Sequence, residues 1–175
     1  MIDSLLSTEN KMFRDEVRRF ANREIAPHVK IWEQEGKYPD SYYKKISEMG
    51  FMGLLVPEEY GGGGASMIDL AILCEEMGRV GVSIPLTHVS ACCRCIAHMG
   101  TEDQKKKYLP DMASGKKIGA YCQTEPNAGS DAGNLSSFAE EKKNHYLLNG
   151  EKVFISNAKI ASASNEEVLL SEEFN

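Results

Sequence analysis

Between Thr8 and Gly115 apolar residues recur at helical spacing. After Gly115 that period disappears, and short alternating runs separated by turn residues replace it. One such switch predicts an α+β chain of two unequal parts. Residues 1–116 read as an all-α helical bundle, 117–158 as a small β-part of short strands, and 159–175 as a tail of different character. Apolar residues make up 42% of the chain, enough for a core and too many for a disordered segment.

The helical part divides at its stop signals. Phe13, Val17, Phe20, Ala21 and Ile25 line one face of a first helix that begins at Ser7–Thr8, with Glu9 in its first turn. Pro27 ends or kinks it, and Val29 to Glu35 resumes it with Ile31 and Trp32 facing inward. A second helix begins near Asp40 and stops at Gly50. Gly61 to Gly64 is a loop, because four glycines lose too much backbone entropy in regular structure. Ser66 and Asp69 are spaced as a capping box, and the helix behind them, Met67 to Met77, is apolar nearly all round, as in the middle of a bundle. Another helix runs from about Pro85 to Met99 and stops at Gly100. Thr101 and Gln104 cap the next, with the Thr hydroxyl contributing about 1 kcal/mol. Pro110 separates that helix from a short last one.

In the β-part, Ile118 to Cys122 reads as a strand and Glu125 to Gly133 as a loop. Ser137 to Glu141 and His145 to Leu148 read as strands around a polar turn. Asn149-Gly150 is a hairpin signal that leads into a strand over Glu151 to Ser156. In the tail, Ser164 and Glu167 are spaced as a capping box ahead of Val168, Leu169, Leu170 and Phe174, which suits a short helix or a frayed end better than a barrel strand.

The net charge of -6 argues against a nucleic-acid binder or a membrane-surface binder, both of which need a basic face. The longest apolar run, Phe51 to Val56, is far short of the roughly 20 residues of a membrane span. The first residues do not resemble a signal peptide. Of the five cysteines, Cys92, Cys93 and Cys95 form a run that invites a metal reading. No second pair of ligands stands at a suitable distance, so buried thiols in a reducing compartment explain them better and no metal site is expected.

Two segments could carry chemistry. Tyr121 to Asp131 is a strand entering a loop of small residues, whose amides and the Thr124 and Ser130 hydroxyls could meet a flat, acceptor-rich ligand or a phosphate; it could also be a plain polar turn. Glu151 to Ala158 would place Phe154 and Ser156 on one face by alternation. That pair suits a ring with a polar edge, or equally a core Phe and a Ser that ends a strand.

Together, Tyr121-Cys122-Gln123-Thr124-Glu125-Pro126 with Ala128-Gly129-Ser130-Asp131, and Asn149-Gly150-Glu151-Lys152-Val153-Phe154-Ile155-Ser156-Asn157-Ala158, resemble the paired flavin-binding motifs of the acyl-CoA dehydrogenase family. Gly50 to Gly62, and Gly100 to Pro110, resemble further stretches of the same family in the same order. The resemblance implies an FAD contact made by Tyr121, Cys122, Gln123, Thr124, Glu125, Pro126, Asn127, Ala128, Gly129 and Ser130, with Ser130 also beside the entering acyl-CoA. It implies a second contact made by Phe154, Ile155 and Ser156, Phe154 packing on the flavin and Ser156 standing where the family often has Thr.

The implied reaction is α,β-desaturation of an acyl-CoA thioester: a carboxylate takes the α-proton, the β-hydrogen leaves as hydride to the flavin, and electrons pass on to an electron-transfer flavoprotein. An acyl-CoA oxidase or a flavin monooxygenase relative would share the fold and differ in how it handles oxygen. A non-catalytic interaction module is the reading of another class. The resemblance further implies that residues 117–158 are the first strands of an incomplete β-barrel domain, a homo-oligomer in the full-length form, residence in the cytoplasm of a bacterium or archaeon or in a mitochondrial matrix, and a catalytic Glu supplied by a part of the fold beyond the match. No residue of this chain matches that base. Glu75, Glu76, Glu125 and Glu140 read as solvated or capping carboxylates, and turnover by these 175 residues alone is not expected.

Overall fold

The computed structural model describes residues 6–82 and 86–164. Its helices are α1 (Thr8–Phe20), α2 (Val29–Glu35), α3 (Asp40–Glu48), α4 (Met67–Arg79), α5 (Leu86–Met99) and α6 (Glu102–Ala113). Four short strands follow: β1 (Gly119–Ala120), β2 (Phe138–Glu141), β3 (Tyr146–Asn149) and β4 (Ala163–Ser164). The α+β order is the one the sequence predicts.

Local chemistry sets the helix ends. The Ser66/Asp69 and Thr101/Gln104 boxes both form, each satisfying backbone donors that the first turn leaves open. Ser7 and Asn10 form a third box that the residue pattern did not suggest, because Asn at the third helical position replaces the usual Glu or Gln. Gly50 adopts φ 73 immediately after α3 and stops it. Between α1 and Pro27 the chain passes through a π-helical turn, Ala21–Ile25, which keeps Ala21 and Ile25 buried before the proline breaks the run.

The core is one cluster that joins α1, α3, α4, α5, α6 and the short 3-10 turn Phe51–Gly53. Phe13 and Phe20 set their rings edge-on to Phe51 at 6.2 and 5.5 Å. Trp32, Tyr38 and Tyr42 form a second aromatic group under α2 and α3.

Several expectations need correction. Ile31 is 52% exposed rather than inward-facing, whereas Trp32 does pack on the core. Met67 and Ile68 are more than half exposed, so α4 is buried on one side only, through Leu70, Ile72, Leu73 and Met77. Pro110 does not separate two helices; it lies inside α6. It removes the amide that would reach the Lys106 carbonyl and its ring crowds that carbonyl, a cost of about 3 kcal/mol in a helix interior. Burial of Leu109 and Met112 beside it offsets this, at about 1.5–3 kcal/mol per side chain.

The β-part is more irregular than the alternation suggests. β1 spans two residues rather than Ile118 to Cys122, and β2 and β3 pair antiparallel, Phe138 opposite Asn149. Asn149-Gly150 is not a hairpin turn, and Glu151 to Ser156 is not a strand. Gly150 crosses against Ser137, where any Cβ would collide with the serine side chain, so the chain runs past the start of β2 instead of reversing beside β3. Ser164 belongs to β4, which pairs parallel with β1, so at this point the tail is a strand and not a cap. The rest of the expected tail helix, from Asn165, lies outside the described residues.

Candidate functional site

β1 leads straight from the helical core into the first predicted segment. Ala120 is buried, and Ile118 and Tyr121 pack on the core cluster, so the start of this segment is fixed by α5 and its neighbours. Residues 121–124 are extended and half-buried. Glu125 to Ala128 then closes a tight turn, with the two residues exchanging backbone hydrogen bonds at 2.8 and 3.2 Å. Pro126, Asn127, Gly129 and Ser130 are exposed around it, and Ala128 is buried beneath.

The second segment lies beside the first. The Val153 amide donates to the Thr124 carbonyl at 2.9 Å, and the Asn157 side-chain amide reaches the Gly119 carbonyl at 3.3 Å. Further along, the Ser162 amide donates to the Ile118 carbonyl at 2.8 Å, just before β4 joins β1.

Glu125 is the hub of the arrangement. Its carboxylate accepts from the Ser136 amide at 2.6 Å, the Ser136 hydroxyl at 2.8 Å, the Ser137 amide at 3.0 Å and the Lys152 ammonium at 2.9 Å. Hydrogen bonds from Ser137, Ser136 and Lys152 hold its carboxyl far below the usual carboxylate range. Glu125 is 3% exposed and Glu76 1%, so neither is the solvated carboxylate expected from the sequence. The signal for Glu125 was Lys152 in the second motif. For Glu76 it was Arg14 and Arg18, one turn apart on α1.

Of the predicted side chains, Phe154 stands out. It is 93% exposed and adopts φ 57, a left-handed conformation uncommon for a bulky residue. Alternation fails here, since the segment is irregular: Ile155 borders an open hollow with Tyr38 and Tyr43 instead, and Ser156 is half-buried. Among the described residues, no hydrogen bond engages the hydroxyls of Thr124, Ser130 or Ser156. An exposed ring and three uncommitted hydroxyls along paired backbone segments suit a flat ligand with polar edges. Cys122 and Gln123 are half-buried between Tyr121 and Thr124, and the Gln123 carbonyl takes a longer contact, 3.4 Å, from Lys152.

A cleft of about 430 Å³ opens beside this site. Leu55, then Met67 and Leu70 of α4, then Thr87, Ser90, Ala91, Arg94 and Cys95 of α5 line it, and Tyr121 completes the wall. No residue pattern points to it, because its two helices are brought together only by packing. No described helix is long and apolar enough to cross a membrane.

Comparison with known proteins agrees with this layout. The family model described as acyl-CoA dehydrogenase, N-terminal domain, matches residues 7–116, and that of the acyl-CoA dehydrogenase middle domain matches 120–165. An acyl-CoA dehydrogenase of Bacillus subtilis is 41% identical over 159 residues, covering 89% of this chain and 42% of the relative. The acyl-CoA dehydrogenase structure from Geobacillus kaustophilus superposes with a TM-score of 0.79 at 37% identity, covering 91% of this chain and 42% of that one. A glutaryl-CoA dehydrogenase from Mycobacterium smegmatis in complex with FADH2 gives 0.80 at 25% identity, covering 93% and 42%. The chain thus spans about two-fifths of the length of these relatives.

Proposed function

The chain belongs to the acyl-CoA dehydrogenase family, and from that premise we propose that it forms the flavin- and substrate-facing front part of an enzyme that desaturates acyl-CoA thioesters at the α,β-bond. The observation that carries this is the 2.9 Å hydrogen bond from Val153 to Thr124, which holds the two flavin motifs side by side with their free hydroxyls and the exposed Phe154.

When bound, FAD supplies the hydride acceptor. Tyr121 to Ser130 would hold it through backbone groups and the Thr124 hydroxyl, and Phe154, Ile155 and Ser156 would make the second contact. Ser130 lies where the thioester enters. The Glu125–Lys152 pair joins the two segments and sets the distance between them. The cleft between α4 and α5 receives the acyl chain and shields it from water.

No carboxylate of the described residues is assigned the α-proton. Glu76 and Glu125 are buried beneath cations, while Glu75 and Glu140 are ion-paired to Arg14 and Lys142. An electron-transfer flavoprotein takes the electrons in the whole enzyme, and a homo-oligomer is its expected form.

The test is flavin retention. Thr124→Val removes a hydroxyl from the contact, whereas Cys74→Ala changes only a half-buried thiol on α4. Flavin absorbance after reconstitution with FAD should fall in the first variant and stay near wild type in the second. Equal retention in both would refute the site.

A further inference from the structure

Five of the six arginines of the chain end on carboxylates: Arg14 on Glu75, Arg18 and Arg79 on Glu76, Arg19 on Glu16 and Arg23 on Glu24. Arg94 is different. Among the described residues its guanidinium donates only to the Met67 thioether, at 2.8 Å, a weak and uncharged acceptor. In a chain with a net charge of -6, a half-buried guanidinium that meets no described carboxylate is conspicuous.

One helical turn before it on α5, Ser90 is 3% exposed, and among the described residues its hydroxyl has no hydrogen-bond partner. A buried hydroxyl is normally satisfied, and its cost falls when a ligand supplies the acceptor. Residues four apart share a helix face, and both side chains line the cleft that Tyr121 borders. The cleft therefore offers a cation and a donor from the same face. A guanidinium held only by a thioether and a hydroxyl with no partner among the described residues favour an anionic group, and a guanidinium fork matches a carboxylate. The volume, about 430 Å³, has room for a short acyl chain.

We propose that this cleft takes an acyl group whose far end carries a carboxylate, held by the Arg94 guanidinium and the Ser90 hydroxyl, so that the substrate class is the monothioester of a dicarboxylic acid. The proposal rests on the acyl-CoA reading above and narrows it. General electrostatics does not produce the same preference, because a chain of net negative charge disfavours the extra anion.

The experiment is calorimetric titration of the 175-residue chain with glutaryl-CoA and with valeryl-CoA, which have equal carbon number and differ in the terminal carboxylate. Wild type, Arg94→Met and Arg94→Lys are compared at one ionic strength, each first checked for a native circular dichroism spectrum. Wild type should bind glutaryl-CoA about tenfold or more tightly than valeryl-CoA, the difference that one charge-assisted hydrogen bond supplies. Arg94→Met should abolish the difference and leave valeryl-CoA within about twofold of wild type, and Arg94→Lys should keep part of it. Equal binding of the two thioesters to wild type, or a preference that survives in Arg94→Met, overturns the proposal and leaves the acyl-CoA reading standing. Binding of neither thioester overturns both.

Discussion

Replacing Glu76 by Gln tests whether a buried ion cluster, and not apolar contact alone, holds α1 against α4. The Glu76 carboxylate is 1% exposed and accepts from Arg18 at 2.9 and 2.6 Å and from Arg79 at 3.1 Å, with the Arg14 Nε at 3.8 Å. Glu76→Gln keeps the volume and removes the charge. Breaking a buried pair costs about 3–5 kcal/mol. Arg18 and Arg79 are each 46% exposed and can turn to water, whereas Arg14, 10% exposed, cannot, so the expected loss is nearer about 2–3 kcal/mol. Glu75→Gln is the control: its side chain is 61% exposed, and its loss should be about 0–1 kcal/mol.

Urea unfolding followed by circular dichroism measures both variants. The Arg18 hydrogen bond leads the effects that hold the Glu76 carboxyl below its ordinary value of 4.5. A carboxyl lowered in the folded state binds fewer protons there than in the unfolded chain. Its contribution is therefore complete above that ordinary value and is lost as pH falls through the folded value. The gap between wild type and Glu76→Gln should accordingly narrow in acid. A Glu76→Gln variant within about 0.5 kcal/mol of wild type at pH 7, or no less stable than Glu75→Gln, would refute the reasoning.

Gly119→Val should destabilise by about 1–3 kcal/mol, because even a Cβ there stands 3.0 Å from Cys92 Sγ and 3.1 Å from its Cβ, with Met112 closer still; an unchanged urea midpoint would show that β1 can move away freely. Phe154→Ser should leave stability within about 0.5 kcal/mol, since the ring is 93% exposed, yet weaken FAD binding in a flavin-fluorescence titration. Unchanged FAD affinity would remove Phe154 from the site.

The sequence alone fixed what depends on neighbours a few positions away. The capping boxes at Ser66 and Thr101, the stop at Gly50 and the pairing partners of β2 and β3 follow from hydrogen bonds, dihedral freedom and alternation within about one turn or one hairpin of chain. The two segments proposed for the flavin contact were legible too, but as a resemblance and not as geometry. Packing decided the rest. Pro110 stays inside α6 because Leu109 and Met112 are buried there, Gly150 crosses Ser137 instead of turning, and Glu125 is buried because Lys152 and two serines converge on it from other segments. Arg94 shows the difference most plainly. In the sequence it is one cation within a helical run; only the approach of α4 and Tyr121 encloses it beside Ser90, away from every described carboxylate. The physical reason is range: caps and turns are satisfied by bonds that the local chain can reach, whereas burial and charge pairing depend on which distant segments the fold brings together.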